Sequence, residues 1–321
     1  MVPSISNLPH PLLINGLNHI LPPPSEEFEK EFAGILPEGK SIPSSWGVTR
    51  YYEFKPSSTP QSKVLLIHGG GTSAIGMAPL ALKLSAAGNT VIAYDLWGHG
   101  GSSTPLTPHI PAILHFQILE LLSHLRWASA HFIGFSMGGS ITATFVSLYP
   151  HLVTSATIVA GAGLWRKSGR SWIEVFKQDG GWGREWIGRK TIIDFVEGHA
   201  PPREGWRERL REGKVDTEAV QKWQRDHHAG HEASIVSYWR YSGVFDQHES
   251  YRKLVGGSVE VLIILGEKDT VIEPVETRRE LEGLGWKEEV VVVEGATHEI
   301  ARSHVKEIAD LTEKFWSCLK K

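Results

Sequence analysis

The chain has 321 residues, a length that suits one large core with an inserted or appended segment better than two full-sized domains. Its net charge of −3, from 33 basic and 36 acidic residues, argues against nucleic acid or another polyanion as a partner. The single cysteine, Cys318, excludes an internal disulfide, and we expect it to be inert in its charged tail.

The N-terminal residues do not resemble a secretory signal, because they lack a basic region and prolines such as Pro9 and Pro11 interrupt the apolar runs. No stretch reaches the roughly 18 apolar residues that cross a bilayer. We therefore expect a soluble, cytoplasmic protein, monomeric or homodimeric, that does not bind membranes.

Residues 1–45 are rich in proline, serine and glutamate, which predicts an N-terminal arm with a short helix over 25–32. The alternation over 48–55 predicts a strand, and 56–62 is a turn-forming stretch.

From residue 63 onward, short apolar runs alternate with segments of helical spacing. The runs predict strands over 63–67, 90–94, 130–133, 155–160, 259–265 and 290–293, and the helical spacing predicts helices over 75–87, 110–127, 141–149, 273–284 and 304–319. Strands that are apolar throughout and alternate with helices indicate a mostly parallel, doubly wound α/β sheet. We assign this core to residues 46–163 and 257–321.

Residues 164–256 interrupt this alternation and predict a helical cap, inserted after the strand that ends near Ala160. The segment has no convincing strand and holds seven of the twelve tryptophans. Tryptophans of such a cap could enclose an apolar acyl group, or could simply form the core of a small helical unit.

The segment HFIGFSMGGS at 131–140 contains the strongest chemical motif. Gly134, Ser136 and Gly138 form a G-x-S-x-G match between a predicted strand and a predicted helix. A sharp turn at this junction exposes the serine hydroxyl at the carboxyl edge of the sheet, and the flanking glycines relieve its crowding. The match therefore predicts a nucleophilic serine.

A glycine-rich loop, His68-Gly69-Gly70-Gly71, follows the strand over 63–67. Acyl transfer needs backbone N–H groups aimed at the developing oxyanion, and glycines let the backbone approach closely. We expect the amides of Gly70 and Met137 to supply these donors, and His68 to support the loop.

Two further motifs follow the last two predicted strands. Asp269, after the strand over 259–265, lies at the edge expected for Ser136 and could orient a histidine, with Glu267 as its rival. His298 follows the strand over 290–293, and the order Ser136, Asp269, His298 is that expected for this arrangement. Three histidines of the predicted cap could line the pocket, face solvent or bind zinc: His227, His228 and His231. No acidic residue at a suitable spacing supports the zinc alternative.

Together with the D-x-x-G-x-G-x-S stretch at 95–102, these motifs resemble the serine-nucleophile, cap-bearing branch of the α/β-hydrolase superfamily. The resemblance covers 46–163 and 259–321. It implies that Ser136 is the nucleophile, that His298 acts as general base and then acid, and that Asp269 holds the imidazole. It implies neither a cofactor nor a metal.

These expectations favour an enzyme that cleaves an ester or lactone of an apolar small molecule through an acyl-enzyme. A C–C bond hydrolase, an acyltransferase and a ligand receptor without turnover remain alternatives on the same residues. The residues expected to contact the substrate are Gly71, Trp97, Trp165, Trp182 and Trp186.

Overall fold

The computed structural model describes residues 18–167 and 185–319. Its strands are β1 (His19–Ile20), β2 (Gly39–Ser44), β3 (Gly47–Phe54), β4 (Lys63–Ile67), β5 (Thr90–Tyr94), β6 (Thr104–Pro105), β7 (Ala130–Phe135), β8 (Val153–Val159), β9 (Val261–Gly266) and β10 (Val290–Val293). Its α-helices are α1 (Ser25–Glu31), α2 (Ala78–Ala86), α3 (Pro111–Leu125), α4 (Met137–Leu148), α5 (Glu185–Val196), α6 (Trp206–Arg211), α7 (Thr217–His227), α8 (His231–Tyr241), α9 (His248–Leu254), α10 (Pro274–Gly283), α11 (Ile300–Ser303) and α12 (Val305–Leu319).

Eight strands form one sheet in the order β10-β9-β8-β7-β4-β5-β3-β2. The six from β10 to β5 are parallel, and β3 and β2 complete one edge in antiparallel orientation. This is the mostly parallel α/β sheet that the apolar runs predict. Because β4, β7, β9 and β10 run the same way, the segments that follow them emerge at one edge of the sheet.

The central strands are apolar because both of their faces are covered. In β4 every residue from Val64 to Ile67 is inaccessible to solvent, and all six residues of β7 are buried. The helix α2 packs against β5 and α12, while α4 packs against β7, β8 and α3. In α12, Ile308, Thr312 and Trp316 recur at helical spacing on the buried face, as expected for an amphipathic closing helix.

The N-terminal segment contributes more to the fold than the predicted arm of 1–45. Phe28, Phe32 and Ile35 are buried in the core, and β2 is the edge strand of the main sheet, joined to β3 by the turn at Ser45 and Trp46. Only one of the six residues of β2 is buried, so no alternation marks it in the sequence. An edge position also tolerates a proline that a central strand would not.

The chain between β8 and β9, called the connecting segment below, is described over 160–167 and 185–260. It carries α5 to α9 and contains no strand within those ranges, only an isolated bridge between Trp165 and Phe245. The helix α9 packs on α4, and α5 packs on α8. Among the described helices of the chain, none combines the length and the apolar character needed to cross a membrane.

Candidate active site

Ser136 lies at the turn between β7 and α4 in a strained conformation. Its φ of 53° and ψ of −118° place a non-glycine residue in a sparsely populated region. Its amide donates to the carbonyl of Val159 (3.0 Å), and its carbonyl accepts from the amide of Ala162 (2.9 Å). These contacts with the end of β8 hold the strained turn in place.

The turn is closed by two glycines in close contact with neighbouring backbone. A Cβ at Gly134 would collide with the carbonyl oxygen of Gly138, and one at Gly138 would collide with that of Ile67. The G-x-S-x-G spacing is therefore a requirement of packing at this junction as well as of the exposed serine.

Gly138→Ala is expected to lower the free energy of unfolding by about 3 kcal/mol or more, because the backbone atoms it meets cannot rotate away. Chemical denaturation measures the change. Gly283→Ala is the matched control: an added Cβ there meets nothing within 4 Å, so its effect should stay below about 1 kcal/mol. Equal stability of the two variants would contradict the packing argument.

A chain of hydrogen bonds joins Ser136, His298 and Asp269. Nε2 of His298 lies 3.0 Å from Oγ of Ser136, and Nδ1 lies 2.8 Å from Oδ2 of Asp269. The Asp269 side chain is fully buried, while 22% of the His298 side chain is exposed. A histidine held in this way can accept the serine proton and stay next to a buried anion, which is the geometry of an activated nucleophile.

The loops after β9 and β10 bring this aspartate and histidine together. The amide of Lys268 donates to the carbonyl of Ala296 (2.8 Å), and Oδ1 of Asp269 accepts from the amides of Val271 and Ile272 (both 2.8 Å). Glu267, the rival acid, is exposed and accepts from the amide of Gly295 (2.8 Å). The structure thus places Asp269, and not Glu267, against the imidazole.

His68 is fully buried at the start of the glycine-rich loop and binds backbone on both sides. Its Nδ1 lies 2.7 Å from the carbonyl oxygen of Gly69, and its Nε2 accepts from the amide of Leu96 (2.9 Å). These partners require a neutral ring with the proton on Nδ1. Burial, which lowers the pKa of His68 to about 4, agrees with that neutral form.

A cavity of about 190 Å³ lies beside Ser136 and His298. Gly70 and Met137 both line it, and Met137 is the first residue of α4, where backbone N–H groups have no partner inside the helix. The connecting segment supplies much of the remaining wall with aromatic and aliphatic side chains: Trp165, Phe195, Val196, Ile235, Tyr238, Trp239 and Val244. The cavity is therefore mostly apolar, with the Ser136 hydroxyl at its surface.

The predicted substrate-contacting residues are only partly found at this cavity. Trp165 lines it, whereas Gly71, Trp97 and Trp186 are not among the described residues that do. Trp97 is fully buried with Nε1 donating to the carbonyl of Ile113 (3.3 Å), and Trp186 is 69% exposed on α5. Trp182 lies outside the described residues.

The three histidines of the connecting segment have other partners. The ring of His227 stacks on Trp223, and His228 Nε2 lies 2.8 Å from the carbonyl oxygen of Ser102. His231 Nε2 lies 2.6 Å from Oε1 of the buried Glu197. Within residues 18–167 and 185–319, no three His, Cys, Asp or Glu side chains converge as a metal site requires.

Several residues of the cavity wall carry no sequence motif. Tyr238, for example, comes from α8. Such residues meet only through tertiary packing, so no pattern in the sequence identifies them. Phe135 is the exception, because it occupies the position before Ser136 within the serine motif, and its ring lies 5.2 Å from that of His298.

Comparisons with known proteins identify the fold family. A family model described as the alpha/beta hydrolase fold matches residues 63–303. The enol-lactonase from Burkholderia xenovorans LB400 superimposes with a TM-score of 0.64, at 20% identity, over 87% of this chain and all of that one, a likeness that concerns the fold.

Two curated relatives match shorter stretches. The dihydrolipoyllysine-residue acetyltransferase component of the acetoin cleaving system of Pseudomonas putida is 43% identical over 79 residues, 25% of this chain and 21% of the relative. Lipase 3 of Moraxella sp. (strain TA144) is 30% identical over 159 residues, 49% of this chain and 47% of the relative. The matches thus span less than half the length of either relative. Since the family model covers most of the chain, the chain belongs to the α/β-hydrolase fold family.

Proposed function

We propose that this protein hydrolyses a carboxylic ester or lactone of a small apolar molecule through an acyl-enzyme on Ser136. The observation that carries the proposal is the continuous hydrogen-bonded chain from Ser136 through His298 to the buried Asp269, opening on an apolar cavity. The similarity to a lipase along 49% of the chain supports ester chemistry.

In the proposed reaction, Oγ of Ser136 attacks the acyl carbonyl while Nε2 of His298 removes its proton. The amides of Gly70 and Met137 donate to the oxyanion of the tetrahedral intermediate. His298 then gives the proton to the leaving alkoxide, and a water molecule, activated by the same nitrogen, releases the acid. Asp269 keeps the proton of His298 on Nδ1 and stabilises the imidazolium.

The cavity suggests the class of acyl group. Its volume of about 190 Å³ and its mostly aromatic and aliphatic wall favour a compact apolar acyl group over a long chain. Each methylene that fits such a wall changes transition-state binding by about 1–3 kcal/mol, so preference along an acyl series should be steep.

The first test of this proposal is turnover of nitrophenyl esters and aromatic lactones with product analysis. We expect a burst of nitrophenol equal to the enzyme concentration, followed by slower steady release of the free acid. Acyl transfer to added alcohol in preference to water would instead indicate an acyltransferase. Tight binding without any burst would indicate a receptor and would contradict the proposal.

Val244→Phe is expected to shift selectivity toward short acyl groups, because Val244 lines the cavity and the larger ring fills part of it. We expect kcat/KM for nitrophenyl hexanoate to fall by about tenfold or more and that for the acetate by less than about threefold. Equal losses along the acyl series would show that the acyl group binds elsewhere. Val275→Phe, at a 73% exposed position on α10, is the control.

A further inference from the structure

Gln224, on α7 of the connecting segment, is fully buried and binds two loops of the core at once. Its Nε2 donates to the carbonyl oxygen of Gly71 (2.9 Å), and its Oε1 accepts from the amide of Gly100 (2.8 Å). One partner is only an acceptor and the other only a donor, so a single orientation of a neutral amide satisfies both.

Gly71 belongs to the glycine-rich loop whose Gly70 amide is the proposed oxyanion donor. The carbonyl groups before and after Gly70 have different partners: that of Gly69 contacts His68 of the core, and that of Gly71 accepts from Gln224. Gly71 adopts a φ of 75°, and a Cβ there would press on Gln221 Nε2 (3.0 Å) and Glu197 Cγ (3.1 Å). The connecting segment thus packs directly on this loop.

We propose that Gln224 is a positioning residue that sets the direction of the Gly70 N–H toward the reacting carbonyl. It does not touch the substrate, because it is not among the described residues that line the cavity. The inference rests on the proposed function, since it assigns a role in stabilising that oxyanion. It also makes the connecting segment part of the catalytic machinery as well as a wall of the cavity.

The physical reason is the sensitivity of an oxyanion donor to its position. Losing such a donor lowers kcat by about 10²–10³-fold, and a misplacement of about 1 Å can lower it by about 10²-fold. Without Gln224, the buried Gly71 carbonyl and Gly100 amide have no partner from α7, and the loop relaxes to find others. We expect a loss of kcat of about tenfold to a hundredfold, with KM changed by less than about threefold.

Two variants of the whole chain test this. Gln224→Met keeps the volume and removes both hydrogen bonds, and Gln224→Glu keeps the shape but sets a carboxylate against the Gly71 carbonyl. For each, we would measure kcat and KM on a nitrophenyl ester, per active site titrated with a fluorophosphonate, and the Ki of an aryl boronic acid that mimics the tetrahedral intermediate. The boronate Ki should rise in proportion to the loss of kcat/KM, whereas the Ki of the acid product should not change.

Ser237→Ala is the matched control. Oγ of Ser237, on α8, accepts from the amide of His109 (2.9 Å), so it also joins the connecting segment to the core by a buried hydrogen bond, away from the glycine-rich loop. If Gln224 only attaches the segment, Ser237→Ala should lower kcat and raise the boronate Ki as much as the Gln224 variants. That result would overturn the inference.

Lowering the pH should restore activity to the Gln224→Glu variant. This measurement also tests the inference if Gln224→Met fails to fold. A protonated carboxyl restores one donor and one acceptor, so the ratio of variant to wild-type kcat should rise toward one as the pH is lowered. The wild-type pH profile is the baseline for this ratio, because both proteins contain the same titratable groups around these loops: His68, Asp95, Glu197, His99, His228 and His231.

Two outcomes would overturn the positioning role while leaving the proposed function intact. One is a ratio of Gln224→Glu kcat to wild-type kcat that stays constant with pH, and the other is a kcat and a boronate Ki equal to those of wild type in both variants. Ester turnover by Ser136→Ala, expressed per protein concentration, separates the two claims, because retained turnover in that variant would instead remove the proposed function itself.

Discussion

Ser136→Ala is expected to lower kcat for ester hydrolysis by about 10⁶-fold, because no other group at the turn can form the acyl-enzyme. The structure gives the physical basis: the hydroxyl lies 3.0 Å from Nε2 of His298, at a turn whose backbone is strained to present it. Initial rates on an activated ester, with the variant purified separately from wild type to avoid carry-over, measure the effect.

Ser140→Ala is the control for this experiment. Ser140 lies one turn further along α4, and its Oγ donates to the carbonyl of Gly243, so the variant also loses a hydroxyl close to the site. We expect it to keep kcat within about threefold of wild type. Comparable activity of Ser136→Ala and wild type would exclude Ser136 as the nucleophile.

Asp269→Asn is expected to lower kcat by about 10⁴-fold through the wrong tautomer of His298. Oδ1 of Asp269 accepts from the amides of Val271 and Ile272, so an asparagine would keep its carbonyl oxygen on that side and turn its NH₂ toward His298. Nδ1 must then accept, which moves the imidazole proton to Nε2 and leaves no base for the serine.

Glu267→Gln is the matched control, since this carboxylate lies two residues away but is exposed and binds the amide of Gly295. We expect its kcat to stay within about twofold of wild type, and the kcat of Asp269→Asn to show no recovery at any pH where the protein is folded. The reverse ranking of the two variants would show that the acid has been assigned to the wrong residue.

The core strands could be predicted from the sequence because burial on both faces leaves a clear pattern. The runs at 63–67 and 90–94 coincide with the buried strands β4 and β5, and the run at 290–293 coincides with β10, an edge strand of four valines that are mostly half-buried. The strand β2 has no such pattern, because Ile42 is its one buried residue and the rest of the strand is polar or exposed, as in an irregular arm. The burial of Phe28 and Phe32 against Trp223 depends on a partner nearly 200 positions away and leaves no local trace.

The candidate triad was predictable for a related reason. In a parallel sheet, residues that follow different strands meet at one edge, so their positions after β7, β9 and β10 were enough to bring Ser136, Asp269 and His298 together. Direction of a side chain is a different matter: Trp97 occupies a loop beside the site, yet its ring is buried in the core toward Ile113. Gln224 is equally invisible in sequence, because its role depends on two backbone groups brought to it by other loops.

The most direct test of the central claim is the mass of the acyl-enzyme. The enzyme would be mixed with a nitrophenyl ester of a compact aromatic acid, quenched with acid during the burst, digested and analysed by peptide mass mapping. The variant His298→Ala, which lacks the base, is expected to form the adduct much more slowly. We predict one acyl group per chain, on the peptide that contains Ser136. A burst-competent enzyme with no adduct, or with the adduct on another residue, would contradict the account.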